Sequence, residues 1–323
     1  MQTDIEGAIR VARLASSFDW TWTSDNLDNF STTVGWHAQR YSSRSVTFQT
    51  GLNLGRDWAE ARFDRHRLAT TQPGQDVEVS YARVSISDRV DPDDLYSREE
   101  LVDIFAEMHG RLVAELGSVS RRNIGSTPGL VWDLPNQVLV LDSGSRLTLS
   151  LNNPVYCEWR DRLVSVVEAG DLPEDDDDLE DLPPRPSSWP QFVRALALTV
   201  AFMPEDSAIS LSAPTGSKIY LRMNEFHVEV VIHPVEGDLQ FLDDLRPDLA
   251  QLGWIESVDR FGNHLKKSVE WPSPMHQFGG IAESAMTTLR SISGIATPAN
   301  IEIESWAIRG DNTADISLLG SGL

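Results

Sequence analysis

One cysteine, Cys157, stands in a chain of 323 residues, so no intrachain disulfide can form and a reducing compartment is the expected setting. No run of eighteen apolar residues occurs, which argues against a membrane-crossing helix. Asp4, Glu6, Arg10 and Arg13 interrupt the N-terminal apolar residues, where a signal peptide needs an unbroken stretch. These absences lead us to expect a soluble cytoplasmic protein with no membrane partner. Positive charge is scarce too: 27 Lys and Arg face 49 Asp and Glu, a formal net charge of −22. The deficit is global, at −7 for residues 1–168, −7 for 169–188 and −8 for 189–323. Phosphate-rich partners are held by basic clusters and by the counterions these release, so nucleic acid is not an expected partner. The densest basic stretch, Arg62, Arg65, His66 and Arg67, is balanced by Asp57, Glu60 and Asp64 and reads as a salt-bridged strand edge.

The motifs of catalysis are missing as well. There is no G-x-S-x-G elbow, no H-E-x-x-H and no G-x-G-x-x-G. Thr215-Gly216-Ser217-Lys218 ends like a phosphate loop, but it lacks the first glycine, follows Pro214 and precedes a strand, so it reads as a hairpin turn. None of the seven histidines (His37, His66, His109, His227, His233, His264, His276) pairs with Cys or carboxylate at zinc-ligand spacing. His227 and His233 share a strand face but lie roughly 20 Å apart. Cys157 has no thiol-protease or redox pattern around it and reads as a small buried hydrophobe. Asp243-Asp244 and Glu99-Glu100 sit near helix N-termini, where the helix dipole stabilises acids without any catalytic role. We expect no catalytic residue, no metal site and no cofactor. Carboxylates distant in sequence but meeting in a cleft are the one route left open to an enzyme.

Aromatic residues are plentiful. Ten tryptophans occur in a chain with no evident active site, and Trp is enriched where one protein grips another. Core roles compete for each of them. Trp189, Trp254, Trp271 and Trp306 are the candidate partner-binding residues, with Trp271 before Pro272 and Trp189 beside the linker expected at the surface.

The segment Glu174–Asp181 followed by Leu182-Pro-Pro-Arg-Pro186 has too little apolar surface to offset ordering entropy, which predicts an extended acidic linker. The expected organisation is an N-terminal domain over 1–168, a linker over 169–188, a second domain over 189–309 and a flexible tail over 310–323. In the second domain, helices are expected at 189–202, 238–252 and 276–292. Apolar–polar alternation predicts a meander over 208–233, two strands within 254–271 and a closing strand near Ile301/Ile303. In the first, helices are expected at 4–17 and 25–35, and at a capping box of Ser97 and Glu100. Strands are expected at 44–50, 57–66, 77–86, 130–134, 137–142 and 146–151. The fold class is α+β, two antiparallel sheets each flanked by helices.

Leu27-Asp-Asn-Phe-Ser-Thr-Thr-Val-Gly-Trp36 echoes Leu242-Asp-Asp-Leu-Arg-Pro-Asp-Leu-Ala-Gln-Leu-Gly-Trp254, each a short helix stopped by Gly with Trp entering a strand. Duplication of one domain and two unrelated α+β domains both fit this echo.

The helix at 189–202, the meander, the helix ending Leu252-Gly253-Trp254, the strands to Trp271 and the terminal helix together resemble the YbjN-like, type III secretion chaperone-like (TY-Chap) domains. The N-terminal half resembles uncharacterised prokaryotic domains found beside such modules, through Val131-Trp-Asp-Leu-Pro135, the hairpin to Leu149-Ser-Leu-Asn-Asn153 and Pro154. The resemblance implies a non-catalytic chaperone-like or adaptor protein that holds a protein client in a secretion or conflict system. An immunity-type inhibitor of a toxin is the alternative, and an enzyme the lesser one. If both halves share that fold, the chain is its own pseudo-dimer and stays monomeric.

Overall fold

The computed structural model describes residues 1–42, 44–63, 78–91, 94–125, 127–157, 185–224, 226–232, 249–259, 262–309 and 313–320. The acidic segment 174–181, most of the helix expected at 238–252, and Arg65, His66, Arg67, Trp159 and His233 lie outside them. The chain divides into two compact units, Met1–Asn123 with Thr127–Asp177 and Ile124–Ser126 with Asp178–Leu323. Each is built on one sheet, and every strand pairing in both is antiparallel, which makes the fold α+β.

The first unit runs α1 (Ile5–Ser17), α2 (Ser24–Val34), β1 (His37–Tyr41), β2 (Ser45–Gln49), β3 (Ala59–Phe63), β4 (Val79–Ser85), α3 (Leu95–Leu116), β5 (Arg121–Asn123), β6 (Gly129–Leu134), β7 (Gln137–Ser143) and β8 (Leu147–Asn152). Its sheet order, β1-β2-β3-β4-β8-β7-β6-β5, is two four-strand meanders joined where β4 pairs with β8. Leu101, Ile104, Phe105, Met108 and Leu112 form the buried stripe of α3, as their spacing requires. The start of α3 differs from expectation. Asp94, not Ser97, is the N-cap: its carboxylate accepts from the Tyr96 amide and also takes the Ser97 hydroxyl proton. An aspartate one turn upstream presents its charge to the first free amides and outcompetes the neutral hydroxyl. Around α1 and α2, Phe18, Trp20, Trp22, Phe30, Trp36 and Phe48 form a chain of ring contacts with centroids 4.5–5.7 Å apart. Each such pair adds about 1 kcal/mol beyond simple burial. On the opposite face of β7, Val138 and Val140 pack on Cys157, which is buried and forms no disulfide, as a small hydrophobe would.

The second unit runs α4 (Trp189–Ala201), β9 (Ser207–Ser212), β10 (Lys218–Met223), β11 (His227–Ile232), β12 (Ile255–Asp259), β13 (Gly262–Glu270), α5 (Met275–Ser293) and β14 (Glu302–Ala307). Its sheet order is β12-β13-β11-β10-β9-β14. The two helices pack on each other, and α5 also packs on β10 and β13, so both cover one face. Phe192, Leu196, Phe278, Ile281 and Leu289 from the helices and Ile209, Leu211, Ile219, Leu221, Val228 and Val230 from the strands are fully or almost fully buried. Thr215-Gly216-Ser217 is the β9–β10 hairpin turn, closed by the Ala213 amide on the Ser217 carbonyl at 2.8 Å.

Of the two readings of the helix–Gly–Trp echo, two different domains is the one the sheets favour: among the described residues one sheet has eight strands and the other six, in different orders. The shared helix–Gly–Trp punctuation has a local cause. Gly35 (φ 79°) and Gly253 (φ 82°) both take the left-handed conformation, and the Trp36 and Trp254 amides reach back to Ser31 and Leu249 carbonyls at 2.7 and 3.1 Å. This is a general way to end a helix, so it recurs without common descent. At the C-terminus, Ser317–Leu319 forms a 3-10 turn packed on α4, with Ala314 and Leu319 buried.

Candidate functional site

With α4 and α5 over one face of the six-stranded sheet, Lys218, Tyr220 and Arg222 of β10 lie on the other. The antiparallel registers place Ser210 of β9, Glu302, Glu304 and Trp306 of β14, Glu229 of β11 and Lys266 of β13 on that same face. It is a polar, internally paired surface. Glu229 accepts from Arg222 at 2.7 Å and from Lys266 at 3.3 Å, and Glu304 accepts from the Ser210 hydroxyl at 3.3 Å. Burial alone would raise the Glu229 pKa. The hydrogen bond and charge of Arg222, with those of Lys266, outweigh it and hold the carboxyl below its usual range.

The edges differ. β14 closes one side of the sheet with Glu302 and Glu304 on its rim, a charge pattern that discourages further strand pairing. β12 closes the other, and there exposed apolar residues stand on either side of an exposed Glu256: Ile255 is 54% exposed, Val258 74%, and Leu252, just ahead of the strand, 40%. Among the described residues β12 pairs with β13 alone, by the register Ile255↔Lys266 to Asp259↔Gly262. Its outer row of backbone N–H and C=O groups is therefore a template for one more strand, flanked by apolar side chains on both faces. Gly253 positions it: the left-handed turn ends the preceding helical residues and sends Trp254 into the core, so that Ile255 starts the strand at the rim.

Of the four tryptophans singled out in the sequence, the structure brings Trp254 into the core at 4% exposure and Trp271 at 2%. Trp271, expected at the surface, is instead a core residue whose indole donates to the Ala201 carbonyl at 3.3 Å, tying the end of β13 to the end of α4. Trp189 is half-buried; its indole donates to the Ala296 carbonyl at 3.0 Å and the Arg290 guanidinium lies 4.7 Å over its ring. Trp306, 36% exposed, meets Tyr220 edge-on at 6.1 Å. The four do not converge on one surface. Leu252, Ile255 and Val258 were missed because a short strand without strict alternation carries no mark of standing at an edge. Among the described residues no three His, Cys, Asp or Glu come together as metal ligands, and no helix is long and apolar enough to cross a membrane.

No curated protein and no solved structure matches the chain. Residues 6–152, nearly all of the first sheet and its helices, match DUF6301, a family of unknown function. The second unit is similar, over residues 184–307, to TY-Chap3, the family described as T3SS (YopN, CesT) and YbjN peptide-binding chaperone 3, in agreement with the resemblance carried by its order of elements.

Proposed function

We propose that this protein is a non-catalytic chaperone-like or adaptor protein that holds an extended segment of a partner protein along β12. The observation that carries the reading is a strand edge with no further strand on it among the described residues, together with exposed Leu252, Ile255 and Val258, in the unit that is similar to peptide-binding chaperones. Backbone hydrogen bonds from an added strand supply register-tolerant affinity, and the apolar side chains on either side supply preference for alternating apolar clients. Their exposed surface amounts to somewhat under two full side chains, worth roughly 3–4 kcal/mol when covered. That suits a reversible hold on a partly folded client. Trp306 stands at the opposite edge of the sheet, away from the held segment, and Trp189, Trp254 and Trp271 act by fixing the frame. The chain's charge of −22 favours neutral or basic client segments and keeps the unoccupied protein in solution, in the cytoplasm of its host. The same acidity suits an immunity role against a basic toxin, and the identity of the captured polypeptide separates the two.

A photoreactive amino acid placed in turn at positions 255, 258 and 306 of the full chain, expressed in its native host, tests the reading. Crosslinks from 255 and 258 to one defined polypeptide, with few from 306, are the expected result. Crosslinks confined to 306, or none at 255 and 258, overturn it.

A further inference from the structure

The first unit holds a cavity of about 210 Å³ between the C-terminal end of α1 and the β6–β7 turn, lined by Ser16, Ser17, Phe18, Asp19, Leu134 at the end of β6, the turn residues Pro135 and Asn136, and Gln137. We infer that it is a binding site for a cationic nitrogen group, an ammonium or guanidinium. Three independent features of the lining select that chemistry.

Gln137 is 1% exposed, and its amide is oriented by the frame: Nε2 donates to the Ala15 carbonyl, which also accepts the Trp20 indole at 3.1 Å. Turning the amide round would set its oxygen against that carbonyl. Oε1 is thus held away from Ala15, buried, and has no hydrogen-bond donor. A buried amide oxygen without a donor costs about 1–3 kcal/mol, and an N–H brought by a ligand recovers that cost. Next, the rim is the negative end of the α1 dipole, and no basic side chain in the last turn of α1 compensates it. The Ser16 and Ser17 hydroxyls give their protons back to Arg13 and Leu14 carbonyls, so toward the cavity they present oxygen lone pairs. Finally, the exposed Asp19 carboxylate makes no ion pair or hydrogen bond among the described residues, and the half-buried Phe18 ring adds an aromatic wall, a surface that attracts cations. The Gln137 oxygen, the two serine hydroxyls and the Asp19 carboxylate all accept, and an anion would meet repulsion from each of them.

The walls are also fixed in advance. The Trp22 indole donates to the Asn136 carbonyl at 2.8 Å, and Trp22 stacks on Trp20 at 4.5 Å, which pins the β6–β7 turn to the aromatic cluster. Trp22 holds φ at 59°, a strained value for a bulky residue, so the surrounding contacts over-determine this geometry. A preformed mouth with buried acceptors loses little entropy on binding. The site lies wholly within the first unit and stands independently of the β12 edge.

The test uses the full-length protein, ¹⁵N-labelled, titrated with n-butylammonium, n-butylguanidinium and, as the neutral control, n-butanol. The expected result is saturable shifts of the amides at 15–20 and 134–138 with either cation and none with n-butanol. Asp19→Asn, an exposed change that leaves the fold unaltered, is expected to weaken cation binding about threefold, the size of one exposed ion pair. Acetylated tripeptides with central Lys or Arg distinguish the sources: at least tenfold tighter binding than the free amines marks a basic side chain of a polypeptide as the ligand, and equal binding marks a small amine. Absence of shifts with both cations would show that water alone fills the cavity, equal shifts with n-butanol that binding takes no account of charge, and unchanged affinity in Asp19→Asn that the carboxylate plays no part; each overturns the inference.

Discussion

Replacing Ile255 and Val258 together by Thr tests the edge reading quantitatively. Thr keeps the β-branched shape and the preference for strand, and the two side chains are 54% and 74% exposed in the free protein, so the fold has little to lose. The free-protein change is expected to stay within about 0.5 kcal/mol by urea denaturation followed through tryptophan fluorescence. Binding has more to lose. At about 2 kcal/mol per side chain taken from full exposure to burial, the pair contributes roughly 2.5 kcal/mol when a partner strand covers it. A hydroxyl in place of a methyl group at 258 and of an ethyl group at 255 then sits against the partner's apolar surface, and at least half of that contribution disappears. The dissociation constant of a fluorescent peptide carrying the crosslinked client sequence is expected to rise about tenfold or more in an anisotropy titration, the equivalent of ~1.4 kcal/mol. An unchanged constant would show that the partner does not cover β12. A loss of more than about 1 kcal/mol in the free protein would show that these side chains support the core, and either outcome refutes the reasoning.

Glu229, held below its usual pKa despite burial by Arg222 and Lys266, makes folding release protons: its stabilisation is complete above about pH 5 and drains away as the pH falls below the unfolded value near 4.3. Glu229→Gln is therefore expected to flatten the acid side of the stability profile and to lower the melting temperature at pH 7 by about 2–4 °C; the effect is near 1 kcal/mol because both cations are part-exposed. A profile unchanged below pH 5 would contradict the pairing. Trp271→Ala, which empties a core site and removes the bond to Ala201, is expected to cost about 3–5 kcal/mol by urea denaturation, whereas a surface tryptophan would cost almost nothing. Leu319→Ala distinguishes a docked C-terminal turn from a loose tail: roughly 2–5 kcal/mol lost if docked, no measurable change if loose.

Periodicity carried most of the element boundaries. The alternation of Ile219, Leu221 and Met223 and the three-and-four spacing of Phe278, Ile281, Ala285 and Leu289 each report one buried face, and the structure buries those faces. The α3 start was misplaced because Ser97 and Glu100 imitate a capping box one turn inside a helix that Asp94 caps. Trp271 was misplaced because a neighbouring proline suggests a turn at the surface, while the frame needs a large side chain where β13 meets α4.

From the chain alone came the α+β class, the acid surface, the want of catalytic motifs and the likeness of the second half to a chaperone family, since composition and spacing act through neighbours a few residues away. Folding in three dimensions decided that the halves differ, which tryptophans are buried, and that Leu252, Ile255 and Val258 stand at a rim. Strand order depends on pairings between distant segments, and whether an apolar side chain meets the core or the solvent depends on whether another strand lies beyond it, which no local pattern records.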